Sequence, residues 1–73
     1  MNIVFEAKTK YWSTMWKKKL LKIVPIKTEY NIWYGSELLY KEINMHEMIE
    51  QITDITGKVP LFKTNRQESI LHH

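Results

Sequence analysis

The segment spanning residues 26–43 constrains the fold most, because its pattern predicts an antiparallel β-hairpin. Side chains alternate between two sets over residues 26–33, with one set formed by Ile26, Thr28, Tyr30 and Ile32. A period of two is that of a strand. Gly35-Ser36 then offers a two-residue turn with glycine first, so residues 37–43 are expected to return antiparallel. Pairing across this turn sets Trp33 against Leu38 and Ile32 against Leu39.

The preceding segment predicts a helix that carries a basic face. Apolar residues recur there at helical spacing, at Trp12, Met15, Trp16, Leu20 and Ile23. In a domain this small, such bulky side chains are expected to fill the core. On a helical wheel the opposite side holds Lys10, Lys17, Lys18 and Lys22. Lys19 falls inside the apolar arc and would have to extend to its edge. Pro25 is expected to end this helix near Ile23.

Three further elements follow from local signals. Residues 2–8 alternate apolar and charged side chains and predict a first strand. Asn44 and Glu47 have the spacing of a capping box, and apolar residues continue at helical spacing to Ile55 before Gly57. Residues 58–63 predict a last short strand, where Pro60 is tolerated if the strand lies at an edge.

The resulting order, β-α-β-β-α-β, predicts an α+β domain of the ferredoxin-like (split βαβ) type, with a four-stranded antiparallel sheet and two helices on one face. The single domain is expected to span residues 1–63. Residues 64–73 are polar and are expected to form a loose C-terminal tail.

The predicted topology resembles that of the RNA-recognition motif. The third strand, ELLYKEI, lacks that family's basic-glycine-aromatic pattern, so the resemblance implies no base-stacking site. A second resemblance is to the glutaredoxins. ITGKVPLFK (residues 55–63) is similar to their Val-Pro strand, and YWSTMWKKKLL stands where their active-site helix begins, without its cysteines. The alternative fold is therefore a truncated thioredoxin- or glutaredoxin-like domain without redox activity.

The composition excludes several functions. The absence of cysteine removes disulfides, thiol chemistry and the usual structural zinc sites, and two glycines are too few for a glycine-rich phosphate loop. No convergent set of nucleophile, base and orienting group is visible, so no enzymatic activity, cofactor or metal is expected. With no apolar run of the ~20 residues that span a bilayer, we expect a soluble, cytoplasmic protein without a membrane partner.

The lysines are the first candidate for function. Residues 1–28 hold seven lysines against one glutamate, whereas residues 29–57 hold six carboxylates against one lysine. Lysine contacts to phosphates give sequence-independent affinity for nucleic acid. An anionic partner, RNA or a ribonucleoprotein, is therefore expected at Lys10, Lys17, Lys18, Lys19 and Lys22. Alternatively, these lysines neutralise Glu47, Glu50 and Asp54 on the neighbouring helix.

Aromatic residues on the hairpin are the second candidate. If Trp33, Leu38 and Tyr40 lie on an open sheet face, they form an amphipathic patch of the kind that marks partner sites. The alternative function is thus an inhibitor or adaptor that binds a host protein through this patch or an edge strand. In size and composition, the small, cysteine-free chain, rich in lysine and isoleucine, is similar to accessory proteins of phages and bacteria. A monomer and a homodimer both remain open.

Overall fold

A computed structural model describes residues 1–63 of the chain as one six-stranded mixed sheet and one helix. The elements are β1 (Asn2–Ala7), β2 (Trp12–Trp16), β3 (Lys19–Ile26), β4 (Glu29–Tyr34), β5 (Glu37–Ile43), α1 (Met45–Thr56) and β6 (Val59–Lys63). Their order across the sheet is β5-β4-β3-β2-β1-β6. The first five strands form an antiparallel meander, and α1 then returns the chain so that β6 pairs parallel to β1.

The ferredoxin-like prediction is wrong, and so is the thioredoxin- or glutaredoxin-like alternative, because the segment that both assign to a first helix is a β-hairpin. The chain turns at Lys17 and Lys18, which both have positive φ angles, 49° and 74°. Across this turn Trp12 pairs with Ile23 and Met15 pairs with Leu20. These four residues belong to the stripe that predicted a helix. Their spacing is symmetric about the turn, so the same pattern satisfies a helix face and a set of cross-strand neighbours.

A second hairpin turn, at Lys27-Thr28, also splits the segment that was predicted as one strand from residue 26 to 33. Lys27 has a φ of 58°, and Ile26 pairs with Glu29 across the turn. Pro25 therefore lies within β3, beyond the last recorded pair between β2 and β3, Trp12 with Ile23. At that point β3 needs amide donors toward β4 alone, so a proline is compatible with the strand.

The elements that were predicted from turn, capping and strand signals over a few neighbouring residues are confirmed. Gly35 has a φ of 62° in a two-residue turn that joins β4 to β5. Asn44 caps α1 with both bonds of the capping box, and Gly57 ends the helix with a φ of 72°. Strands also form at residues 2–7 and 59–63, and the latter lies at a sheet edge as its Pro60 requires. The predicted tail, residues 64–73, lies outside the described residues.

The core lies between α1 and one face of the sheet. The sheet contributes the buried side chains of Ile3, Phe5, Leu21, Ile23 and Ile32, and α1 contributes Met48 and Ile52. Met48, Ile52 and Thr56 are spaced four residues apart and form the buried side of α1. Each large aliphatic side chain buried in this way stabilises the fold by ~1.5–3 kcal/mol. Within residues 1–63, one helix covers one face of the sheet, and the core lies on that face.

We expect Ile52→Ala to destabilise the domain by about 2–5 kcal/mol, because it deletes a fully buried side chain at the centre of the interface between α1 and the sheet. Val59→Ala is the control, since this side chain is 49% exposed and its truncation is expected to cost under ~0.5 kcal/mol. Thermal unfolding by circular dichroism measures both. Equal melting temperatures for the two variants would contradict the position of the core.

Candidate binding surfaces: the open sheet face and the lysine corner

The face of the sheet opposite α1, here called the open face, has no covering element within residues 1–63. Strand alternation defines its residues. Val4 stands between the buried Ile3 and Phe5, and Trp33 follows the buried Ile32. Six large aliphatic side chains on this face are 36–61% exposed: Val4, Met15, Leu20, Leu38, Val59 and Leu61. The open face therefore carries several partly exposed aliphatic side chains.

Four of these side chains form a continuous group, the apolar belt, which consists of Val4, Met15, Leu20 and Leu61. Leu61 pairs with Val4 across β6 and β1, and Met15 pairs with Leu20 across β2 and β3. Val4, Met15 and Leu20 also line one depression of about 310 Å³, together with Glu6, Lys8, Ser13 and Thr14. Pairing between β1 and β2 is confined to Glu6 with Ser13 and Ala7 with Trp12, so the depression lies where these two strands diverge.

Next to the apolar belt, one row of cross-strand neighbours runs through all six strands. Its members, from β6 to β5, are Lys63, Glu6, Ser13, Lys22, Trp33 and Leu38. Lys22 and Trp33 were predicted in two separate sites, and the sheet makes them direct neighbours. The ammonium nitrogen of Lys22 also lies 5.0 Å from the ring centre of Tyr11. Trp33 pairs with Leu38 as predicted.

Tyr40 does not join Trp33 and Leu38 on the open face, so its predicted position is wrong. The register of β5 shifts after Leu38, and Tyr40 rather than Leu39 lies opposite Ile32. The extra residue of this β-bulge turns both side chains toward the core, where Leu39 and Tyr40 are partly buried. Nothing in the sequence marks this bulge.

The five predicted lysines do not share one face, because no helix carries them. Lys10 lies in the loop between β1 and β2, and Lys17 lies beyond the opposite end of β2. Lys22 is on the open face. Lys17, Lys18 and Lys19 remain together at the β2–β3 turn, where Lys58 joins them. We call these four residues the lysine corner.

Contacts with Trp16 place Lys58 in the lysine corner. The Nζ atoms of Lys17 and Lys58 lie 5.2 and 5.7 Å from the centre of the same Trp16 ring. Such cation–π contacts contribute ~0.5–1 kcal/mol each at exposed sites. The amide of Lys58 donates to the hydroxyl of Thr56 at 3.1 Å, which fixes its backbone at the end of α1. Sequence reasoning missed Lys58, because only the return of α1 brings it to a turn 40 residues earlier.

The lysine corner is not neutralised by the acidic helix. Within residues 1–63 the recorded ion pairs join Lys8 to Glu6 at 4.0 Å and His46 to Glu50 at 3.7 Å. Glu47, Glu50 and Asp54 are all exposed on α1. The predicted pairing of the lysines with these carboxylates is therefore absent from the described part of the chain.

Other kinds of site find no support in the part of the chain that the structure describes. Residues 1–63 contain no group of three histidine, cysteine, aspartate or glutamate side chains placed to hold a metal ion. Among the same residues, no helix is long and apolar enough to cross a lipid bilayer. No protein-family model, curated protein or solved structure matches this chain.

We expect Tyr40→Ser to lower the melting temperature clearly, because the ring packs against the buried core. Loss of a partly buried aromatic side chain should cost at least ~1–2 kcal/mol, less than the ~3–5 kcal/mol of a fully buried one. Leu38→Ser, two residues away and 38% exposed on the open face, is the matched control and should unfold close to the wild-type temperature. Equal losses in both variants would show that the bulge does not separate the two faces.

Proposed function

We propose that this domain acts by binding a partner protein through the open face, with the apolar belt at the centre of the contact. The observation that carries the proposal is the continuous group of exposed aliphatic side chains at Val4, Met15, Leu20 and Leu61. Soluble monomers rarely expose large contiguous apolar patches unless they serve an interaction. The belt extends over four neighbouring strands, from β3 to the edge strand β6.

Aliphatic chemistry favours a protein over a nucleic acid as the occupant of this face. Bases stack on aromatic rings, whereas leucine, valine and methionine gain mainly from burial against other apolar side chains. The aromatic residues of the open face, Tyr11 and Trp33, are half-buried, and Lys22 already lies against the Tyr11 ring. The lysines that sequence assigned to nucleic acid lie mainly outside this face, in the lysine corner.

Charges beside the apolar belt define the chemistry of the partner. Three lysines, Lys8, Lys22 and Lys63, stand on or beside the open face. Glu6 forms an ion pair with Lys8 and pairs with Lys63 across β1 and β6. Within residues 1–63, these lysines outnumber the one carboxylate beside them, so the charge around the apolar belt is positive. Complementary charge at an interface raises the association rate and disfavours wrong partners. The partner is therefore a protein surface with an apolar centre and carboxylates at its rim. A second copy, in a two-fold arrangement, would bring two cationic surpluses together.

A pair of methionine variants tests the proposal. Met15 is 61% exposed in the apolar belt, and Met45 is 54% exposed at the start of α1. We expect Met15→Glu to weaken partner binding at least about tenfold, or ~1.4 kcal/mol, by placing a charge in the apolar contact. Met45→Glu introduces the same charge outside the open face and should bind like the wild type.

The measurement is affinity capture from nuclease-treated lysate, followed by titration of the captured protein against both variants. A photo-crosslinking residue at position 15, compared with one at position 45, maps the contact. Equal capture by both glutamate variants would overturn the proposal. So would loss of the partner after nuclease treatment, which would indicate nucleic acid. Dimers in light scattering that only Met15→Glu dissociates would identify a second copy as the occupant instead.

A further inference from the structure

The turn of the lysine corner uses residues that a hairpin turn does not favour. Lys17 and Lys18 both adopt left-handed backbone angles, with φ of 49° and 74°. Two-residue turns of this kind prefer Asn-Gly, because residues with a β-carbon are strained at positive φ. Strained backbone of this kind clusters at binding sites, where the structure around it maintains the conformation. Lys27 and Glu42 also have positive φ angles, so the backbone angles alone do not mark a site, and the surroundings of the two lysines decide.

The neighbouring hairpin holds the strained turn in place. The hydroxyl of Tyr34 donates to the carbonyl oxygen of Trp16 at 2.6 Å, with the carbonyl of Lys17 at 3.3 Å. The amide of Gly35 donates to the carbonyl of Leu20 at 2.8 Å. These bonds fix the backbone on both sides of the turn. The lysine side chains are thus presented on a stiff support, which reduces the entropy lost when they bind.

Three of the four ammonium groups lie over two aromatic rings, and the lysines that carry them come from two separate parts of the chain. Lys17 and Lys58 flank Trp16, and the Nζ atom of Lys19 lies 5.4 Å from the ring centre of Tyr34. Lys18 is exposed at the tip of the turn. Within residues 1–63 no carboxylate is recorded in an ion pair with any of the four. The lysine corner is an uncompensated cationic site.

We propose that the lysine corner binds the phosphodiester backbone of a nucleic acid without reading its sequence. Lysine ammonium groups act as point charges that suit phosphate oxygens, whereas paired recognition of carboxylates typically uses arginine. The rings of Trp16 and Tyr34 are partly packed against the core and are occupied by lysines, so they are not free to stack on bases. Backbone contact alone positions a nucleic acid but carries no sequence information. This site is separate from the apolar belt and does not depend on the proposed protein partner.

Salt dependence is the first test, measured by fluorescence anisotropy with labelled (rU)20 and with a 20-base-pair duplex. Four phosphate contacts predict slopes of about −3.6 for the duplex and −2.8 for the single strand on a log–log plot of affinity against salt. Sequences of equal length should bind alike. A flat salt response would overturn the proposal.

Lys18→Gly and Lys27→Gly form a matched pair of variants. Each removes one charge and places glycine at a left-handed turn position, where φ is 74° in one case and 58° in the other. Both should unfold at or slightly above the wild-type temperature, because glycine relieves the strain. Only Lys18→Gly should weaken binding, severalfold at physiological salt, and lower the magnitude of the salt slope by about 1. Equal losses in both would show a general charge effect and overturn the site.

Lys58→Gln tests whether the binding site is formed jointly by the β2–β3 turn and Lys58. Lys58 is distant from the turn in sequence, so a site formed by the hairpin alone would keep its full affinity and salt slope. We expect Lys58→Gln to lose as much affinity for the oligonucleotide as Lys18→Gly. Met15→Glu should bind nucleic acid as Met45→Glu does, because both variants add the same charge outside the lysine corner. Unchanged affinity in Lys58→Gln would contradict the assignment. Displacement of the oligonucleotide by poly-glutamate at equal charge concentration would also overturn it, in favour of an acidic protein.

Discussion

One helix covers one face of a six-stranded sheet, and the rest of the molecule follows from this imbalance. A helix of 12 residues is about 18 Å long, while six strands spaced ~4.8 Å apart extend about 24 Å between the outer strands. α1 is shorter than this width, lies on one side of the sheet and buries Met48 and Ile52 there. Among the residues that the structure describes, no element covers the opposite side, and its apolar residues are exposed. Stability and interaction are thereby assigned to different faces of the same sheet.

The fold converts a charge asymmetry along the chain into a separation in space. Glu47, Glu50 and Asp54 are exposed on α1, while the lysines gather at the β2–β3 turn and on the open face. If the lysines had formed ion pairs with these carboxylates inside the domain, neither set of charges would be available to a partner. Separation leaves a cationic surplus on the surfaces that also carry the apolar belt and the lysine corner. Electrostatic steering toward an anionic partner is a direct consequence of such an arrangement.

Local signals in the sequence predicted a large part of the fold. The Gly35-Ser36 turn, the capping box at Asn44 and the glycine that ends α1 depend on residues within a few positions of one another, so one sequence suffices to read them. The pairing of Trp33 with Leu38, and hence one side of the candidate site, follows from the same turn. Residues 12–23 were ambiguous, because spacing symmetric about Lys17 and Lys18 fits a helix and a hairpin equally.

Sequence by itself therefore determined the elements whose stabilising contacts are local, and the lysine-rich, cysteine-free chemistry of the surface. Only the tertiary structure decided between helix and hairpin, because a strand is stabilised by neighbours that the sequence does not name. The tertiary structure also places Tyr40 against the core, because of a β-bulge, and Lys58 beside Trp16, because α1 returns the chain to β1. Both depend on contacts between residues distant along the chain. The physical reason is that pairing partners and register are properties of the assembled sheet rather than of any one segment.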